Sequence, residues 1–301
     1  MAVLNSIFII LSICGCWRPS SWSLSFHKCL IYHLYTFFIA FLVSSLSLSE
    51  MIGIALNTNK SNNVSDDIYI FLAQFVSCFK MFSLVVNRNN IVNLIFILRQ
   101  EPHKPLNDVE ANIQIKFDKL SRFNTHSYAS LITLSIRILE NRLTNITNER
   151  KAILKLCIRH HECIYGFATD VNRTFKFAIF VQFLASTLTV CFTMFHITKI
   201  SANSLEFVKM TFFMSGMLTQ VYLYCWYGHL VTLKSEEIVY QMFDTNLTEL
   251  SNDIKRSLLI MMHRTTRPIV IIVMNLFPLN IDSFVSILKT AYTAYNFLEQ
   301  T

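Results

Sequence analysis

Glycine and proline are scarce in this 301-residue chain, with five of each, and charged residues make up only 15%. So little glycine and proline excludes a loop-rich architecture, and so little charge excludes a soluble domain, which needs more polar surface at this length. None of the eight cysteines (Cys14, Cys16, Cys29, Cys78, Cys157, Cys163, Cys191, Cys225) forms a Cys-x-x-Cys pair. A disulfide framework is therefore not expected, and the four cysteines within apolar runs read as small hydrophobes. Paired carboxylates, a His-rich box and a nucleophile beside a base are all missing from the apolar runs, so we expect no enzyme, no catalytic residues and no cofactor. Matching halves with Gly/Pro-broken segments are also missing, which argues against a transporter.

What the chain has instead is apolar length. Residues 29–49, 68–87, 177–198, 210–233 and roughly 268–300 carry almost no charge, and about twenty apolar residues suffice for a helix to cross a bilayer. The expected fold is an all-α, polytopic membrane helical bundle with about five recognisable spans and a cytosolic helical base. The run Val3–Trp17 lacks the flanking charge and cleavage site of a signal peptide and reads as a retained, membrane-associated helix stopping at Arg18-Pro19.

The net charge of +7 sits between the apolar runs, a pattern that fits the positive-inside rule better than nucleic-acid binding. Arg18 and Lys28 precede the first run. Residues 50–67 are net acidic, and 88–126 are rich in Lys and Arg, as are 137–176. This places the N-terminus in the cytosol, the 50–67 loop outside, 88–176 inside and the C-terminus outside. The sequons at Asn59 and Asn63 then face outward as glycosylation sites, whereas those at Asn145, Asn172 and Asn246 stay bare.

Residues 128–139 are apolar but too few to span, and lead into an amphipathic pattern at Glu140–Leu143. From Ala152 to Arg173 apolar residues recur every three or four positions, which predicts a surface helix continuing into the third span. Cys157, His160, His161 and Cys163 could be read as zinc ligands, but their spacing fits no standard finger and no second cluster accompanies them. We therefore expect no metal.

Pro268 and Pro278 interrupt the last apolar stretch, so its helix is expected over 281–300, after the cap candidates Asn280 and Asp282. Ser286, Lys289, Thr293 and Asn296 share one face of that helix. Lys289 near mid-span costs about 3 kcal/mol unless it reaches water or a partner. The face suits either a helix–helix contact or a pore lining, and one helix per chain encloses a conduit only in an oligomer. The resulting division is 1–28, an N-terminal segment; 29–233, the spans with cytosolic extensions; 234–267, a charged anchor helix; and 268–301, the terminal pore-type helix.

Four separated motifs resemble those of insect odorant receptors, in the family's order. Leu11–Pro19 is similar to the family's Gly-x-Trp-Arg-Pro opening, and Cys157-Ile158-Arg159-His160-His161 to its Cys-Ile-x-His-His run. Tyr224-Cys225-Trp226-Tyr227-Gly228 with Lys234-Ser235 resembles the end of the sixth span, and Asp282–Tyr292 the final-helix signature. The resemblance implies a ligand-gated cation channel in the plasma membrane of sensory neurons. In it, a tuning subunit detects a small volatile odorant within a heterotetramer that includes a co-receptor. By position the gate falls on Phe297, Gln300 and Thr301, with Lys289 on the pore face, and Phe297 is bulkier than the family's usual aliphatic residue. The odorant pocket lies in the outer half, where Phe71, Phe75, Phe212 and Phe213 are the candidates. An apolar, aromatic pocket with few polar anchors suits such a ligand. The family has seven spans against five here; the third, and most of the fourth, find no counterpart around residues 120–130. A shortened, non-functional relative is one alternative. A gustatory-type receptor is the other, although Tyr292–Thr301 lacks that branch's Thr-Tyr-hydrophobic-Gln-Phe ending.

Overall fold

The computed structural model describes residues 11–18, 26–56, 64–99, 110–113, 127–144, 150–201, 204–243 and 252–300. Asn59, Asn63, Asn145, Asn246 and Thr301 lie outside the described residues, as does the 120–126 region. The helices are α1 (Phe26–Leu56), α2 (Val64–Val86), α3 (Arg88–Arg99), α4 (Ser127–Thr144), α5 (Arg150–Ile197), α6 (Leu205–Phe243), α7 (Asn252–Thr265) and α8 (Ile281–Gln300). Two strands, β1 (Ile272–Val273) and β2 (Phe277–Pro278), pair antiparallel between α7 and α8.

The first four apolar stretches are helical over nearly their whole length, and the fifth is helical from Ile281. Among the described residues, α1 and the Lys155–Ile197 part of α5 are each long and apolar enough to cross a bilayer. Segments Ile70–Val86 and Arg88–Ile97, bent by 64° at Asn87, make a third if the pair is one span. Helices α6 and α8 cover the other two stretches and are more polar.

Contacts divide the chain into two compact units that do not follow chain order. One combines Asn5–Arg88, Lys176–Leu223 and Ile281–Thr301. Here α1 packs on α2, and Phe79 of α2 meets Phe177 of α5 edge-on at 5.3 Å. The segment before α1 is helical at 11–13 and turns at Gly15, whose φ of 73° glycine adopts freely, so its described helix ends before Arg18. It is held to α1 by bonds from the Tyr32 hydroxyl to the Ser12 carbonyl (3.1 Å) and the Tyr35 hydroxyl to the Ile13 carbonyl (2.6 Å). A further bond runs from the Thr36 hydroxyl to the Gly15 carbonyl (2.8 Å). Ser204 caps α6, accepting the Phe207 amide at 3.1 Å.

The other unit combines Met1–Leu4, Asn89–Phe175 and Tyr224–Asn280. The stretch 128–139, too short to span, is the body of α4, and Ile132, Ile136, Ile138 and Leu139 are 0–1% exposed. The helix expected on the surface from Ala152 is the first half of α5, and it does run on without a break to Ile197. One face of it is buried: Cys157, His160, His161, Ile164, Phe167 and Val171 are all covered. The opposite face, with Arg159, Glu162, Thr169, Asp170 and Arg173, is exposed, so this is the amphipathic surface helix that the spacing predicts. The recurring apolar residues that suggested an amphipathic surface helix are the ones this unit uses as core.

The two prolines do end helical structure, but what stands between them is a hairpin rather than a loop. Met274 (φ 50°) and Asn275 (φ 59°) make the turn, and the Leu276 amide closes it on the Val273 carbonyl at 2.9 Å. Two successive positive-φ residues give the type I′ geometry that matches strand twist. No Asn-Gly or Asp-Gly pair announces it, since methionine stands first.

Candidate functional site

Helix α8 starts at Ile281, immediately after Asn280, and carries Asp282 in its first turn. Phe284 anchors it edge-on against Tyr222 of α6 at 5.5 Å. Ala291 is buried, whereas Ser286, Lys289, Thr290 and Thr293 are exposed and Asn296 is half-buried. Tyr292 and Phe297 are exposed at 56% and 71%. The two threonine hydroxyls bond back into the helix, Thr290 to the Ser286 carbonyl and Thr293 to the Lys289 carbonyl, each at 2.9 Å. Those bonds lower the cost of the hydroxyls in an apolar setting. The Lys289 ammonium brings three donors and a full charge, and one back-bond to a helix carbonyl leaves most of that demand to water or a partner.

Of the aromatic candidates, Phe71 and Phe75 lie together on α2 with ring centroids 6.2 Å apart. Phe75 is exposed and Phe71 half-buried. Phe212 is 81% exposed, on the same side of α6 as exposed Leu205 and Val208, while Phe213 is half-buried. Of the gate residues, Phe297 stands on the exposed side of α8 and Gln300 closes the helix.

A polar seam along α5 escaped the sequence reading. Gln182, Ser186, Thr189, Thr193 and His196 recur at steps of four and three, and all are buried within an otherwise apolar span. The Gln182 amide donates to Ser186 Oγ at 2.7 Å and to Gln220 Oε1 of α6 at 3.3 Å. At the far end, His196 Nε2 lies 3.8 Å from Glu206 Oε1. The spacing was visible in the sequence; its burial was not.

A second missed feature is charged. Arg142 of α4 makes a two-pronged pair with Glu110, Nε to Oε1 at 3.0 Å and Nη2 to Oε2 at 3.1 Å, and its Nη1 lies 3.3 Å from His160 Nδ1. All three side chains are at most 5% exposed. This explains two members of the Cys157–Cys163 run. His160 faces Arg142, and burial pushes the Cys157 thiol up to about 12, with Glu110 adding to that and Arg142 opposing it. Burial, helped by Arg264, lowers His161 to about 4, against Glu162, and its ring packs on Tyr165 at 5.0 Å. These groups are placed by side-chain packing, and among the described residues no cluster of three or more His, Cys, Asp or Glu forms a metal site.

At the end of α6, the Gly228 motif has a steric reason. A Cβ on Gly228 would fall 2.7 Å from the Leu279 Cβ, so only glycine admits the chain after β2. Lys234 of the same motif pairs with Glu237, and Ser235 Oγ accepts the Ile269 amide at 2.9 Å.

Residues 125–292, more than half of the chain, match the family model described as 7tm Odorant receptor. The chain belongs to the odorant receptor family. It is similar to Odorant receptor 10 of Aedes albopictus, with 26% identity over 148 residues, 49% of this chain and 39% of that one. It is also similar to Odorant receptor 94a of Drosophila melanogaster, with 28% identity over 174 residues, 56% of this chain and 44% of that one. The match therefore spans less than half the length of these curated relatives. In fold, the solved olfactory receptor OR5 of Machilis hrabei in complex with eugenol superposes with a TM-score of 0.82 at 15% identity, over 99% of this chain and 97% of that one. The chain is thus an all-α membrane protein of odorant receptor fold. The helical bundle expected from the apolar runs is borne out.

Proposed function

We propose that this odorant receptor works as the ligand-gated cation channel subunit of a complex with a co-receptor, detecting a small volatile molecule at the plasma membrane of sensory neurons. One observation carries the reading: Ser286, Lys289, Thr290 and Thr293 form an exposed polar face on a helix of membrane-spanning length. A polar face on a membrane helix goes to other helices or to water, and a water-filled lumen shared by several α8 helices meets the demand of Lys289. The gate then lies at Phe297, Gln300 and Thr301. The odorant contacts come from Phe71, Phe75, Phe212 and Phe213, a reading supported by the Phe71–Phe75 pair and weakest at Phe212. The N-terminus is cytosolic, the C-terminus external, and Asn59 and Asn63 carry the glycans.

Co-expression with the co-receptor is expected to give odorant-evoked cation current, abolished by Phe297→Asp and altered in ion permeability by Gln300→Glu. If surface-delivered protein stays silent across a broad panel of volatiles, the signalling part fails and the reading of a shortened, non-functional relative takes its place. A tag fused after Thr301 that antibodies reach only in permeabilised cells would overturn the orientation.

A further inference from the structure

From Ile269 to Met274 the residues alternate in burial without alternating in polarity. Ile269, Ile271 and Val273 are buried at 0–6%, whereas the residues between and after them, Val270, Ile272, Met274 and Leu276, are 36–68% exposed. A two-stranded hairpin with water on its outer side shows polar residues at the outward positions; here only Asn275, at the tip of the turn, is polar among the exposed residues from Val270 to Leu276, which means that the outer face is covered too.

The inner face is fixed to the end of α6. The Ile269 amide bonds Ser235 Oγ, its carbonyl accepts the Thr232 hydroxyl at 3.2 Å, and Leu279 fills the notch at Gly228. These contacts set the depth of the hairpin. Gly228 stands five residues before the end of the apolar stretch 210–233, about 7 Å along a helix, roughly the thickness of the polar zone flanking the hydrocarbon. Trp226, two residues earlier and 43% exposed, is the residue type that gathers at that boundary. Exposed Arg267 precedes the hairpin, a cation suited to the phosphates of a leaflet surface.

We propose that Val270, Ile272, Met274 and Leu276 form a membrane-docking face, seated in the boundary between headgroups and acyl chains beside the end of α6. The occupant is lipid rather than a second chain, because the depth set by Gly228 and Trp226 places the face where the bilayer itself is the apolar phase. This rests on reading 210–233 as a span.

The test places the photo-crosslinker p-benzoylphenylalanine, in the full-length chain in cells fed an alkyne-tagged fatty acid, at Leu276, at Phe212 as a span control or at exposed Arg256 of α7 as a water control. Only surface-delivered protein is scored. The expected result is a lipid adduct at Leu276 comparable to that at Phe212 and absent at Arg256. Labelled Phe212 with Leu276 as unlabelled as Arg256 overturns the docking face and leaves the span intact, and so does a Leu276 crosslink to a second protein chain in place of lipid. An unlabelled Phe212 overturns the span reading and the docking face with it.

Discussion

Helices α1 and α4 are built from similar residues and lead opposite lives. In α1, Leu30, Phe37, Phe38 and Phe41 are 50–70% exposed, while in α4, Ile132, Ile136, Ile138 and Leu139 are covered almost completely. The apolar side chains of α4 find protein on nearly every side, and its one embedded cation, Arg142, meets a buried carboxylate. Those of α1 stay half or more exposed among the described residues, so the bilayer is the phase that receives them. Length decides between the two fates: α1 has 31 residues and α4 only 18, interrupted by Arg137, Glu140 and Arg142. The difference teaches that a buried ion pair goes with a helix used as protein core, as in α4, and that exposure of large apolar residues along a whole helix, as in α1, marks one solvated by lipid.

The buried charge is where this contrast breaks most readily. Removing one partner of a buried ion pair costs about 3–5 kcal/mol because the other is left uncompensated. Arg142→Met and Glu110→Met alone should each cause a large loss of thermal stability in detergent-solubilised protein, read by fluorescence-detected size exclusion. The double Met variant should regain most of it. Double and single variants that fall equally would show that the pair is not a self-contained unit.

A cavity comparison sharpens the same point. Ile136→Ala should cost about 2–5 kcal/mol, the range for a large-to-small change in a packed core. Phe41→Ala on α1 should stay within about 0.5 kcal/mol, as at exposed positions. Equal losses from the two would erase the distinction between the helices.

Overpacking gives a smaller effect with a built-in control. Gly228→Ala drives a methyl into Leu279, and such insertions cost about 1–3 kcal/mol. Leu279→Ala in the same chain should restore little of the loss, because the Leu279 carbonyl oxygen and Cβ, the atoms the new methyl meets first, remain, and the odorant-evoked current should follow the stability. A full rescue by Leu279→Ala would mean that the Leu279 side chain, rather than the close backbone approach, is what Gly228 admits.

How much of this was legible beforehand varies with the range of the interaction. The spans, the proline break and the start of α8 at Ile281 are local consequences of length, missing amide donors and helix starts, and the chain announces them. The face shared by Ser286, Lys289 and Thr293 follows from periodicity, and the structure leaves it exposed. Glu110 and Arg142 are thirty-two residues apart, so no spacing rule pairs them, and His160 enters only once α5 packs on α4. The hairpin turn was hidden because Met274 takes a backbone region that side chains other than Gly and Asn rarely adopt; the pairing of β1 with β2 and the bond from the Leu276 amide to Val273, rather than local preference, hold it there. The seam on α5 was readable in its spacing, yet five polar residues in an apolar span look alike whether they face protein or water.

The mildest lever is pH, and it separates the two units by chemistry alone. Burial lowers His161 to about 4 from an ordinary value of 6.5, so the folded chain holds it neutral where the unfolded chain would bind a proton. Between those two values the unfolded state carries more protons, and stability rises with pH. The stabilisation is complete above about 6.5 and drains away as pH falls toward about 4. Melting curves of solubilised protein should therefore decline over that window, and His161→Gln should flatten the decline, since glutamine packs in the same place without titrating. The control is a membrane-unit histidine: if His196→Gln flattens the curve as much as His161→Gln does, the acid sensitivity does not belong to the α5 face that packs in the base.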